Sequence, residues 1–83
     1  MAEHQGLPVA GYRSQSEENV ALVNSFKQAE ERILRTLDEC AKEGETIDKR
    51  WLAIGRTQLE QAFMAINRAV FQPGRVKLPE DEA

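Results

Sequence analysis

The sequence has a single cysteine, a single histidine, one tyrosine and no long apolar run, and each shortage removes a class of function. Cys40 has no second cysteine to pair with, so no intramolecular disulfide staples the chain, which suits a reducing cytoplasm. His4 lies in a polar N-terminal arm with no cysteine or histidine at ligand spacing, which argues against a metal site. No apolar stretch approaches the ~20 residues that span a bilayer. Residues 1–13 also lack the basic start and apolar centre of a signal peptide. There is no Ser/His/Asp or Cys/His set and no glycine-rich phosphate loop. The acidic pairs Glu17-Glu18, Glu30-Glu31 and Asp38-Glu39 are adjacent on a helix and do not face each other, so they read as a solvated surface. The expectation is a soluble intracellular protein, not an enzyme, with no cofactor, no metal and no membrane contact.

What is present is helix. Val23, Phe26, Ile33, Leu34, Leu37, Cys40 and Ala41 recur at threes and fours, predicting an amphipathic helix from about Ser14 to Glu43. Ser14 and Glu17 form an S-x-x-E capping box at its start, and Gly44 stops it. Thr46, helped by Asp48, is the expected cap of a second helix that runs to about Phe71 and ends at Gln72-Pro73-Gly74. The short connection makes the two helices antiparallel neighbours. In the second helix Trp51, Leu52, Leu59, Ala62, Phe63, Ile66, Ala69 and Val70 form one apolar stripe, while Met64, Phe71 and Ala53 lie on another side. A chain of 83 residues cannot bury both sides alone, so the hairpin is expected to assemble into a homo-oligomer. The organisation read is therefore all-α: an N-terminal arm over 1–13, an antiparallel two-helix hairpin over 14–75 and a flexible polar tail over 76–83.

The net charge of −3 argues against binding a DNA or RNA polymer, but charge is unevenly spread. Residues 1–48 carry ten acids and five bases, whereas residues 49–79 carry six bases and only Glu60 as an acid. Either the two halves attract each other, or basic groups from several copies converge on a small anion. Tyr12 and Arg13 are surplus to capping and are the first candidates for function. Tyr12 could stack on a base beside helix N–H groups that favour phosphate, or it could be a hydrophobic staple. Lys27 sits at the edge of the apolar stripe, either paired with Glu31 or held at an interface where two copies present ammonium groups to one ligand. Arg68, between Met64 and Phe71, would need an anionic partner if that side is an oligomer contact.

The stretches "GYRSQSEENVALVNSFKQAEERIL" and "DKRWLAIGRTQLEQAFMAINRAVFQP" resemble the phage anti-CBASS sponges over roughly residues 6–75. These are small helical hairpins that sequester the cyclic oligonucleotides a bacterium makes as antiviral signals. The resemblance rests on overall pattern together with Gly11-Tyr12 and Phe26-Lys27. It implies a hexamer in the host bacterial cytoplasm that binds cyclic dinucleotides such as cGAMP between protomers and, as in some members of the family, cyclic trinucleotides in a separate pocket. By position, Tyr12 would stack on a base, Lys27 would contact phosphate, Gly11 would allow close backbone approach and Arg13 would border the same pocket. Arg68 would contact the phosphates of a trinucleotide. The alternative reading is a non-catalytic hairpin that serves as a protein-interaction or assembly module.

Overall fold

A computed structural model describes residues 9–43 and 46–82; His4 and Gly44 lie outside the described residues. Two helices dominate: α1 (Glu17–Lys42) and α2 (Lys49–Phe71). The start of α1 differs from the sequence expectation. Ser16 rather than Ser14 is the cap, its hydroxyl accepting the Asn19 N–H at 3.1 Å from an extended backbone. The reason is tertiary, because residue 15 is engaged elsewhere. Gln15 Nε2 donates to the carbonyls of Arg13 and Phe71, both at 2.8 Å, which holds residues 13–15 outside the helix. At the far end Glu43 N–H donates to Cys40 C=O at 3.1 Å, tightening the last turn.

The cap of α2 is also corrected. Asp48, not Thr46, accepts the Trp51 N–H, through Oδ1 at 2.9 Å. A carboxylate at this position meets both the free N–H groups and the positive end of the helix dipole, which a threonine hydroxyl does not. The helix ends as expected. Gln72 takes a left-handed conformation (φ 47°), its N–H donates to Arg68 C=O at 2.7 Å, and Pro73 has no N–H with which to continue.

The helices run antiparallel, as three cross-links in opposite order along them demonstrate. Gln15 meets the end of α2, Asp38 Oδ1 accepts from Arg56 Nη1 at 2.8 Å, and Lys49 Nζ donates to Ala41 C=O at 2.6 Å. Between these links Phe26, Leu34, Leu37 and Cys40 of α1 and Leu52, Leu59, Phe63 and Val70 of α2 are half-buried. Val23, 3% exposed, is the one fully buried hydrophobic among the described residues. Only part of the expected α2 stripe is therefore covered. Trp51 is 63% exposed and Ile66 also faces out, while Met64 on the other flank is 67% exposed. A single seam covers one narrow strip of each cylinder. In that seam Asn67 Oδ1 is buried without a hydrogen-bond partner among the described residues. Beyond α2, Pro79–Glu82 form one short 3₁₀ turn after Leu78, whose N–H is accepted by Asp81 Oδ2 at 2.9 Å. Neither α1 nor α2 is long and apolar enough to cross a membrane.

Candidate functional site

Tyr12 and Arg13 lie at the end of the hairpin that holds the arm, the start of α1 and the end of α2, with Arg68 in the last turn of α2. A four-residue turn closes there, with Tyr12 N–H donating to Val9 C=O at 3.0 Å. Gly11 occupies its third position with φ +87°, a conformation that L side chains rarely adopt. Gly11 C=O also accepts the Gly74 N–H at 2.7 Å, so the arm is bonded to the chain that leaves α2. A Cβ on Gly11 would fall 2.5 Å from the Gly74 carbonyl oxygen. The glycine expected to admit a ligand is thus required by an intramolecular contact.

Tyr12 is 57% exposed, which removes the staple reading, since a staple would bury the ring against the first turn of α1. The residue just before the Ser16 cap is Gln15, whose side chain is spent on the Phe71 and Arg13 carbonyls. Arg13 is exposed beside Tyr12. Lys27 is exposed ten residues into α1, a rise of about 15 Å from Glu17. It does not pair with Glu31, which instead accepts from Arg35 Nε at 2.9 Å. Among the described residues Lys27 has no ion pair, and it shares a face with the exposed Val20, one i,i+7 repeat away.

Arg68 is exposed one turn from Met64, and the two border an open surface groove with Gln61 and Ala65. The structure does not join it to Glu17 or Glu18 among the described ion pairs. Tyr12, Lys27 and Arg68 are therefore three separate exposed groups, and the fold does not bring them into one pocket within a single chain.

The basic excess of the second half divides in two. At the connection end Arg56 bridges to Asp38, Lys49 caps the end of α1 and Arg50 lies over the Trp51 ring, 5.7 Å from its centroid. The hydrogen bond to Asp38 holds the Arg56 guanidinium above its ordinary pKa. At the other end Arg68, Arg75 and Lys77 form no ion pair among the described residues, and neither does Arg13 of the arm beside them in the first half of the sequence. Attraction between the halves thus accounts for one end of the molecule, and an anion is the natural complement of the other.

Gln15 and Gly74 build this end of the molecule, although neither stands out in the sequence. Gln15 bonds a carbonyl 56 residues away and carries no local pattern. Gly74 reads in sequence only as a helix terminator, yet a glycine following proline beyond a helix end is also a signal for close backbone approach. No individual curated protein matches the sequence. A family match does cover residues 6–71, which includes the arm turn, both helices and every candidate residue. By that match the chain belongs to the Acb2/Tad1 hairpin-domain family, the anti-CBASS sponge family.

Proposed function

We propose that the protein is a phage-encoded sponge that binds cyclic dinucleotides such as cGAMP, and cyclic trinucleotides at a second site, without cleaving them. It works in the host bacterial cytoplasm and thereby withholds the messenger from CBASS effectors. The observation that carries this reading is the state of Tyr12 and Lys27: both are exposed, and among the described residues neither side chain forms a hydrogen bond or ion pair. An aromatic face and an ammonium group are the complements of a base and a phosphate. Lys27 also lies on an apolar flank with Val20, so a second copy covering that flank places Lys27 at the junction. Two copies then offer two tyrosines and two lysines to the two bases and two phosphates of a cyclic dinucleotide. Gly11 forms the turn that presents Tyr12, and Arg13 borders the same pocket. Arg68 serves the trinucleotide site, and the assembly is a hexamer. Sequestration needs tight binding and no chemistry, so the absence of a recognisable catalytic set in the sequence is compatible with it.

The test is calorimetric titration with cGAMP, followed by heat denaturation and chromatography of the released nucleotide. Stoichiometric binding with intact ligand recovered is the expected result. In a thermal-shift assay, ligand at 100 times its Kd adds about 2.7 kcal/mol to native-state stability. If no cyclic dinucleotide or trinucleotide binds, the hairpin is an assembly or protein-interaction module instead.

A further inference from the structure

Residues 72–82 lie beyond the span that the family match covers, yet they reach back to the segment that carries Tyr12. The Gly74 N–H bond to Gly11 C=O is short, at 2.7 Å. Val76 Cγ1 would lie 3.4 Å from a Cβ on Gly11, so the chain leaving α2 packs directly against the residue before the tyrosine. On the other side of Tyr12, Gln15 ties the carbonyl of Arg13 to that of Phe71 and accepts from Asn19 Nδ2 at 3.2 Å. The backbone is thus fixed on both sides of Tyr12 while the ring stays open to solvent.

Immobilising a free side chain and its loop on binding costs affinity, and a group already held in place avoids that cost. We propose that residues 73–76 are a strap that positions Tyr12 for base stacking, with the Gly74 N–H as its positioning contact. This rests on the stacking role given to Tyr12 above. The strap acts through the tyrosine and does not itself touch the ligand. It ties the end of α2 to the arm, so a chain cut after Phe71 would keep both helices and lose the order of its ligand-reading residue.

Two substitutions at one position separate the donor from the space around it. Gly74→Pro removes the N–H. Gly74→Ala keeps it, and its Cβ would meet only the Gly11 carbonyl oxygen at 3.8 Å, an ordinary contact. With cGAMP as the probe, Gly74→Pro weakens binding by roughly tenfold, the scale of one immobilised side chain, and Gly74→Ala retains the parent affinity. In a Tyr12→Ala background Gly74→Pro causes no further loss, which a general structural defect would not reproduce. An unchanged affinity in Gly74→Pro, or a loss that adds in full to that of Tyr12→Ala, overturns the strap. If the parent protein does not bind cGAMP, the stacking role fails first, and the strap is judged in the free protein by trypsin cleavage after Arg13. Faster cleavage in Gly74→Pro but not in Gly74→Ala sustains it, and equal rates in all three overturn it.

Discussion

A tyrosine ring left open at the end of a helical hairpin, next to cations that form no ion pair among the described residues, can be tested one side chain at a time. On the proposed function, Tyr12→Ala is expected to weaken cyclic dinucleotide binding by the roughly 1–3 kcal/mol of one stacked base. On the same reading Lys27→Ala is expected to cost the roughly 1.5–3 kcal/mol of a charged hydrogen bond per copy, and twice that per ligand if two copies share one nucleotide. Both variants should keep the assembly intact, since neither side chain is buried in the seam; unchanged calorimetric affinity in both would remove them from the pocket. Arg68 lies on the Met64 flank of α2, away from Lys27, and three such flanks meeting would gather three guanidinium groups. Arg68→Ala is expected to abolish cyclic trinucleotide binding and spare cyclic dinucleotide binding. Loss of both ligands with the oligomer intact would mean a single pocket.

At the scale of the element, the caps offer a direct check on which local signals the fold uses. Ser16→Ala and Asp48→Ala should each cost about 1 kcal/mol, because each leaves a helix N–H without its acceptor. Ser14→Ala and Thr46→Ala should stay within about 0.5 kcal/mol, as expected of exposed positions with no such partner. A larger effect at Ser14 than at Ser16 would restore the capping box read from sequence. Gly55 sits within α2, and a methyl group added there would have nothing within 4 Å, so Gly55→Ala should stabilise by roughly 0.5–1 kcal/mol and leave ligand binding alone. These comparisons need one fixed protein concentration, because the stability of an oligomer depends on it.

For the whole molecule the decisive quantity is how little is covered. One fully buried hydrophobic among the described residues, with Val20, Leu22, Ile33, Trp51, Met64 and Ile66 all facing out, is not a core that sustains an isolated domain. The apolar flanks lie on both sides of the seam, so more than one partner surface is called for. Sedimentation at micromolar concentration should therefore find an oligomer and no stable folded species of 9.4 kDa. The midpoint of thermal unfolding should rise with protein concentration. A compact monomer whose melting is independent of concentration would rule out a pocket shared between copies.

The sequence by itself determined the two helices, their pairing as a hairpin and the point where α2 stops. Apolar periodicity, short connections and a Pro-Gly terminator are local signals that each helix carries whatever it packs against. It also singled out Tyr12, Lys27 and Arg68 as candidate ligand contacts, and the fold leaves all three exposed. Only the tertiary structure decided which of two serines caps α1, because the choice turns on Gln15 reaching a carbonyl 56 residues away. It likewise decided that Trp51 and Ile66 fall outside the intrachain seam, since a helix with a wide apolar surface does not encode which strip meets its neighbour. The bond from Gly74 to Gly11 left no trace in periodicity or charge, because it joins two backbone groups, and every residue but proline has a backbone N–H to offer.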